Sequence, residues 1–216
     1  MASSFSVKKA HEAQLQLSRK AVLEDTLPRK IRFVGGIDVA YSEGKSVGAA
    51  VVLDYESLEL AEAVTAVCET RFPYVPTLLS FREVPPAVLC VRRLRLQPDV
   101  LLVDGHGLAH PYRCGFATHL GLVLDMATVG VAKSSLLKTD VAATRGDVAF
   151  LECGGEVIGA AVAVKHGGRP VYVSVGHMVS LEKAVEIVKH CIVVGRVPKP
   201  IGEAHRVAAE AKKKIQ

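Results

Sequence analysis

Three consecutive apolar runs in the first third of the chain are separated by breaks too short to contain a helix. The runs are "IRFVGGIDVAY", "SVGAAVVLDY" and "LELAEAVTAVC", and the polar breaks between them fall at residues 42–45 and 56–57. Parallel neighbours need a crossover of about a dozen residues or more, whereas antiparallel strands need only a short turn. The sequence therefore predicts that these runs pair as an antiparallel meander.

Helices and further strands are predicted around the meander. Apolar spacing indicates an amphipathic helix over residues 7–24 and another over 78–96, which Pro85 and Pro86 must kink or divide. The remaining predicted strands are Val100–Asp104, 128–131, 157–164 and 171–175, and the remaining predicted helices are 115–125, 180–191 and 203–214. We expect an α/β fold in a single domain over residues 1–216, with one mixed sheet, an antiparallel meander followed by parallel strands, flanked by helices.

Charge and cysteine content narrow the environment and the partners. Lys and Arg outnumber Asp and Glu by 27 to 22, a net charge of +5 that favours a polyanionic partner, although many basic proteins never bind nucleic acid. The five cysteines form no C-x-x-C pair, which argues against a disulfide framework and a structural zinc site. Residues 1–20 are too polar for a signal peptide, and no apolar run has the length of a membrane span. We therefore expect a cytoplasmic protein with no membrane partner.

Two carboxylates stand at the ends of apolar strands. Asp38 ends "RFVGGID" and Asp104 ends "PDVLLVD". If these strands are parallel neighbours, the carboxylates converge and form a patch of like charge that suits Mg²⁺ or Mn²⁺. The alternative is that each Asp only begins a turn. Glu83 is a possible third ligand, with a solvated helix face as its alternative.

The histidines carry less information. A surface or hydrogen-bonded core position is the simplest interpretation of each of His106, His110, His119, His177 and His205. The H-x-x-x-H spacing of His106 and His110 is compatible with zinc, but Gly107 and Pro111 argue against a continuous helix there. We discount a zinc site.

Six segments follow one another along the chain: "GIDVAY", "FPYVPTLLSFRE", "PDVLLVDGHGLAHPYRCGFATHLG", "TVGVAKSSL", "VSVGHMVSL" and "VPKPIGEAH". In this order and spacing they resemble the endonuclease V family, the deoxyinosine 3′ endonucleases. The combination of PYxP, SFRE, DGxGxAHP and GVAKS is far more specific than any single piece. The resemblance runs from about Gly36 to His205 and implies a ribonuclease H-like fold.

The resemblance also implies a catalytic site. Asp38, Glu83 and Asp104 match the family's acidic metal ligands, and His205 falls where the fourth member of the constellation is a His or an Asp. The implied cofactor is Mg²⁺, with Mn²⁺ as a substitute. Lys133 matches the family's lysine, where a fixed ammonium offsets charge that develops on the phosphate. From the residue alone, Lys133 is an ordinary surface lysine.

Recognition residues are implied in the same way. The segment Pro73, Tyr74, Val75 and Pro76 matches the family's wedge, which fills the space left by the flipped base. From sequence alone, an aromatic residue at position 74 is more often part of the core. The implied base pocket comprises Leu79, Gly105, Gly115, Phe116 and Leu136. Its glycines let the backbone approach the base closely. His110 and His119 match positions near the pocket and metal site, where an imidazole bonds phosphate or orients a ligand.

The implied activity is repair cleavage of DNA containing deoxyinosine by a monomer. The family nicks the second phosphodiester bond on the 3′ side of the lesion and leaves 3′-hydroxyl and 5′-phosphate ends. One alternative is cleavage of inosine-containing RNA, and another is a module that binds lesions without cutting. The acidic residues argue against the second alternative, since a pure binder gains nothing from carboxylates beside a phosphate.

Three positions depart from the family pattern. His106 replaces the expected Gln or Asn, Tyr112 stands where many relatives have a basic residue, and Thr77 stands where some have Gly. The first two bear on DNA contacts or substrate range, and Thr77 is expected to stiffen the wedge. The matched acidic residues are all present.

Overall fold

One mixed sheet forms the centre of the molecule in the computed structural model, which describes residues 6–164 and 169–215. Its strands are β1 (Phe33–Ser42), β2 (Lys45–Asp54), β3 (Leu60–Glu69), β4 (Val100–Asp104), β5 (Thr128–Ala132), β6 (Asp140–Arg145), β7 (Val148–Cys153), β8 (Glu156–Val162) and β9 (Val171–His177). The helices are α1 (Val7–Ser18), α2 (Leu79–Val91), α3 (Phe116–Leu124), α4 (Leu181–Cys191) and α5 (Lys199–Lys213). The strand order is β3-β2-β1-β4-β5-β9-β8-β7-β6. The expected α/β class, with one mixed sheet flanked by helices, is confirmed.

The predicted meander is present, and parallel strands follow it. β1 pairs with β2 and β2 with β3 in antiparallel register, while β4 pairs in parallel with both β1 and β5. The crossover between β3 and β4 contains α2, and the one between β4 and β5 contains α3. Helical crossovers of this kind are what parallel neighbours require.

The half of the sheet beyond β5 is antiparallel, whereas the sequence predicted helices that alternate with parallel strands. β9 pairs antiparallel to β5, and β8, β7 and β6 continue in antiparallel order. β6 and β7 were missed by the sequence prediction. β6 is an edge strand with every residue exposed, so it carries no apolar alternation. The turns that bound these strands contain Gly146, Gly154 and Gly155 at positive φ, a hairpin signal that was present in the sequence.

Three helix boundaries are corrected. α1 ends at Ser18 rather than near residue 24, because Val22 donates its N–H to Nδ1 of His177 and accepts from the N–H of Met178. α2 ends at Val91 rather than near residue 96, and it is one helix despite Pro85 and Pro86, so of the two expected effects of these prolines, a kink or a division, the division is wrong. α5 begins at Lys199 rather than residue 203, since its prolines lie at the helix start, where a missing N–H costs nothing.

Side chains on the two faces of the sheet form separate cores. Ile37 of β1 packs toward α2 and α3, whereas Val34 packs on the opposite face, with the residues of α4 and α5. The N-terminal turn of α5 lies directly on β1 at Gly36. A Cβ added to Gly36 would be 2.0 Å from the carbonyl oxygen of Pro200, so only glycine allows this contact. This contact fixes α5 against the strand that carries Asp38. Among the described residues, none of the helices has the length and apolar content needed to cross a membrane.

Candidate active site

Asp38 and Asp104 are neighbours on adjacent parallel strands. The register pairs Ile37 of β1 with Val103 of β4, so the next residue on each strand is one of the two aspartates. Residues in register on neighbouring strands point to the same face of a sheet. The side chains of Asp38 and Asp104 are 13% and 22% exposed. The expected convergence of the two carboxylates is therefore present. Asp104 ends β4 as predicted, but Asp38 lies within β1, which continues to Ser42, so the prediction that Asp38 ends its strand is wrong.

Glu83 approaches the aspartates from α2. It is 8% exposed, so the interpretation as a solvated helix face is wrong. The hydroxyl of Tyr41 donates to its Oε1 at 3.4 Å, and its Oε2 is buried without a hydrogen-bond partner. A buried carboxylate oxygen without a partner is costly in a protein that has no ligand there.

The three carboxyl groups influence one another electrostatically. Burial is the largest cause that raises the pKa of Glu83 well above its ordinary value, and the charges of Asp38 and Asp104 raise it further. Burial also raises the pKa of Asp104, opposed by Lys133 and reinforced by Asp38. A cation relieves both the burial cost and the repulsion. The donor set and the unpartnered oxygen of Glu83 thus fit a hard divalent ion.

Two basic side chains border this cluster. Nζ of Lys133, which follows β5, lies 3.5 Å from Oδ2 of Asp104, and Nδ1 of His205 on α5 lies 2.8 Å from Oδ2 of Asp38. Both are well exposed, with 52% of the Lys133 side chain and 68% of the His205 side chain accessible. Cationic and imidazole groups that face solvent beside buried carboxylates are open to an anionic ligand.

The carboxylates do not point at one common position. Asp38 is paired with His205, Asp104 with Lys133, and Glu83 with Tyr41. Within residues 6–164 and 169–215, no three His, Cys, Asp or Glu side chains form a group already closed around a metal position. An incoming cation must therefore compete with these pairings for the carboxylate oxygens.

The Pro73–Pro76 segment forms an exposed loop between β3 and α2. Tyr74 is 70% exposed, so the alternative of a core aromatic is wrong. The base of the loop is fixed by stacking of Phe72 on Phe81 and by Leu78, which is fully buried. An exposed aromatic ring on an anchored loop is the form that a wedge requires. We call residues 73–76 the wedge loop.

The five residues of the implied base pocket divide into two groups. Gly105, Gly115 and Phe116 lie together, since a Cβ on Gly105 would be 3.3 Å from Cβ of Phe116 and the segment of Gly115 packs on that of His106. Leu79 and Leu136 are exposed, at the start of α2 and after β5. A Cβ on Gly115 would lie 2.3 Å from the carbonyl oxygen of His106, so backbone packing alone requires glycine there.

His110 and His119 are enclosed by protein. His110 is 4% exposed, and its Nδ1 accepts from the N–H of Tyr112. Nδ1 of His119 lies 3.1 Å from the hydroxyl of Ser80 at the start of α2. Burial lowers the pKa of each imidazole to about 4, so both are neutral at physiological pH. Their assignment to phosphate or ligand contacts stays a prediction.

Two residues with contacts in this region were missed by sequence reasoning. Tyr41 reaches Glu83, and the alternation of β1, which places odd-numbered residues toward α2, was an available signal. Gln14 is fully buried and contacts the loops at Thr77 and Cys114. A polar residue on a mostly polar helix gives no sequence signal of this kind.

The mixed sheet, with carboxylates side by side on two neighbouring parallel strands, is typical of nucleases with a ribonuclease H-like fold. The chain belongs to the endonuclease V family, because the sequence model of that family matches residues 15–206. It is 45% identical over 206 residues to endonuclease V of Thermofilum pendens (strain DSM 2475 / Hrk 5), covering 95% of this chain and 88% of that protein. Members of the family are nucleases that use a divalent metal.

Solved structures agree with this assignment. The crystal structure of endonuclease V from Streptomyces avermitilis has a TM-score of 0.89 and 36% identity, covering 97% of this chain and 94% of that chain. Endonuclease V of Ciona intestinalis, solved in complex with a 24mer DNA containing an inosine followed by a ribo-adenosine, has a TM-score of 0.87 and 31% identity. That comparison covers 97% of this chain and 99% of that chain.

Proposed function

We propose that the protein is a DNA repair endonuclease that recognises deoxyinosine and hydrolyses the second phosphodiester bond on the 3′ side of the lesion. The products are a 3′-hydroxyl and a 5′-phosphate. The observation that carries the proposal is the convergence of Asp38 and Asp104 on adjacent parallel strands with the unpartnered, buried oxygen of Glu83. The proposal takes the protein to be a cytoplasmic monomer.

Asp38, Glu83 and Asp104 are the proposed holders of Mg²⁺, with Mn²⁺ as a substitute. When bound, such an ion supplies a water of lowered pKa and positive charge for the phosphorane-like transition state. The carboxylates are suited to this because all three are buried or nearly so and repel one another without a cation. The two aspartates are held by strand backbone, so their spacing is fixed by the sheet.

Lys133 and His205 act on the substrate phosphate and on the ligand geometry. The ammonium of Lys133 lies beside Asp104 and is half exposed, so it can turn toward a phosphate and offset negative charge there. The imidazole of His205 holds Asp38 in position, and its exposure leaves its ring open to solvent or substrate.

Recognition is assigned to the wedge loop and to the pocket around Gly105, Gly115 and Phe116. Tyr74 fills the stack when the base leaves it, which offsets an unstacking cost of about a few kcal/mol. Hypoxanthine presents a carbonyl acceptor where adenine presents an amine donor. A donor in the pocket therefore accepts hypoxanthine and leaves adenine's amine unpaired, which penalises adenine.

The test uses one labelled 30mer sequence in four forms: DNA or RNA, each with inosine or adenosine at the central position. Native protein is incubated with each form in Mg²⁺ and in EDTA. We expect a Mg²⁺-dependent nick only in the inosine DNA. Cutting of only the inosine RNA supports the alternative function, an endoribonuclease. The RNA substrates are included because the DNA bound to the Ciona protein contains a ribo-adenosine after the inosine. Specific binding without any nick leaves a lesion-binding module.

Stability of the metal-free protein should fall as pH rises. The pKa of Glu83 is raised above its ordinary value of 4.5, so the folded protein keeps this proton to higher pH than the unfolded chain. The stability that this group contributes is complete below pH 4.5 and is lost as pH rises through the folded pKa. In EDTA at pH 8, Glu83→Gln should therefore unfold at a higher temperature than native protein, by about 2–4 °C for each 1 kcal/mol gained.

Glu62 supplies a control of opposite sign. Its pKa is lowered, chiefly by the N–H of Leu96, so Glu62→Gln should lose stability at high pH rather than gain it. Thermal unfolding of the three proteins from pH 4 to pH 8, with and without Mg²⁺, measures both effects. Mg²⁺ should raise the native midpoint at pH 8 and reduce the advantage of Glu83→Gln. An advantage that shrinks as pH rises contradicts the electrostatic account.

A further inference from the structure

Gln14 is the buried residue of a helix that is otherwise exposed or half-buried. It is 0% exposed, whereas the neighbouring Leu15 and Gln16 face solvent. Burying an amide side chain is unfavourable unless its polar atoms are hydrogen-bonded. The partners of this amide therefore indicate why a polar residue stands at this position.

Both N–H groups of the Gln14 amide are used, and they bond to two different loops. Nε2 donates to the carbonyl of Thr77 and to the carbonyl of Cys114, each at 2.9 Å. The reverse orientation of the amide would place its oxygen against two carbonyl oxygens, so the chemistry fixes which atom is the donor. Gln14 therefore links two residues that lie 63 and 100 positions further along the chain.

The two loops are those proposed to recognise the lesion. Thr77 directly follows the wedge loop, and its φ of 71° marks the residue where the chain turns into α2. Cys114 directly precedes Gly115 and Phe116 of the proposed pocket. A non-glycine residue at positive φ is strained and needs its surroundings to hold it. Gln14 holds the carbonyl of that residue.

A second residue of α1 contacts the same two loops closer to the surface. Nε2 of His11 lies 2.9 Å from the hydroxyl of Thr77, and its ring stacks on Tyr112 with centroids 3.8 Å apart and an interplanar angle of 13°. The two contacts lie one helical turn from those of Gln14, since i and i+3 residues share a helix face. α1 thus spans the gap between the wedge loop and the pocket.

The amide of Gln14 acts through its donor groups. Both N–H groups bond to loop carbonyls, whereas Oε1 is buried without a partner, so the contacts that this residue makes are those that join the two loops. We propose that Gln14 is a positioning residue, which fixes the wedge loop relative to the base pocket and thereby sets discrimination of hypoxanthine from adenine. This inference rests on the proposed function.

The test is Gln14→Met, which keeps the volume and removes both hydrogen bonds, compared with Gln16→Met, the same substitution at an exposed site of the same helix. Dissociation constants are measured for matched duplexes with deoxyinosine or deoxyadenosine, in an Asp104→Asn background that blocks cutting. For Gln14→Met we expect about tenfold weaker binding of the deoxyinosine duplex, equivalent to about 1.4 kcal/mol. For Gln14→Met, the dissociation constant of the deoxyadenosine duplex should stay within about twofold of that of the Asp104→Asn protein. For Gln16→Met, the dissociation constants of both duplexes should stay within the same range.

Fluorescence of 2-aminopurine placed next to the lesion separates positioning from general instability. Native protein should unstack the probe on the deoxyinosine duplex, and Gln14→Met should reduce that signal even at saturation. His11→Ala removes partly buried contacts to the same loops, so it should shift discrimination in the same direction, with less risk to folding than a change at the fully buried Gln14.

The outcomes are distinct. Equal weakening on both duplexes, or undiminished discrimination in Gln14→Met and His11→Ala, overturns the positioning role while leaving the proposed function intact. If Gln14→Met does not fold, His11→Ala alone decides. A native protein that binds both duplexes equally overturns the proposed function and this inference with it.

Discussion

Asp104→Asn should lower the rate of nicking of a deoxyinosine duplex by about a thousandfold or more. The substitution removes the charge but keeps the shape of a side chain at the end of β4, beside Asp38. Positive charge held at a scissile phosphate supplies several kcal/mol of transition-state stabilisation, and about 4 kcal/mol corresponds to about a thousandfold in rate. Single-turnover nicking in saturating Mg²⁺ measures the loss.

Asp140→Asn is the matched control, because Asp140 is exposed at the edge strand β6. Its nicking rate should equal that of native protein. Asp104→Asn should also unfold in EDTA no earlier than native protein, since the pKa of Asp104 is raised by burial and its charge is unfavourable there. Lost activity together with lowered stability would indicate a structural role for Asp104 instead.

Tyr74→Ala should weaken binding of a deoxyinosine duplex by about 10–100-fold. An aromatic ring stacked on bases contributes about 1–3 kcal/mol, and each 1.4 kcal/mol is about tenfold in affinity. The ring is 70% exposed on the wedge loop, so its removal should not disturb the core. The dissociation constant is measured with Asp104→Asn in the background to prevent cutting.

Two comparisons show whether the ring acts by filling a stack. Tyr74→Phe keeps the ring and should bind within about twofold of native protein, since stacking does not require the hydroxyl. A single strand with the same deoxyinosine has little stacking to disrupt, so Tyr74→Ala should lose much less there. Equal losses on duplex and single strand would indicate an ordinary surface contact.

The positions of Asp38 and Asp104 could be predicted because one rule covers both. Each follows an apolar stretch, and the parallel register of β1 with β4 runs up to the residue before each aspartate, although β1 itself continues to Ser42. Lys133 follows the same rule on β5. Glu83 could not be placed in this way, since a single carboxylate on a helix is ordinarily solvated and its burial depends on packing between α2 and the sheet.

Other features depended on contacts that the sequence does not display. β6 carries no apolar alternation, and the end of α1 is set by hydrogen bonds of Val22 to residues far along the chain. The glycine at position 115 was attributed from the sequence to close approach of a base. The structure shows that packing against the carbonyl of His106 already excludes any side chain at this position. The contacts of Gln14 appear only when the two loops are brought together. The single-domain assignment stays a prediction.

The most direct test moves the lesion. Five duplexes share one sequence, and a single deoxyinosine replaces the natural base at one of five successive positions in the same strand. Nicks made by native protein in Mg²⁺ are mapped at nucleotide resolution. The proposed function predicts a nick that moves in step with the lesion, always at the second bond on its 3′ side, and no nick in the duplex without deoxyinosine. A nick that stays at one place in the sequence, or none in all five duplexes, would contradict it.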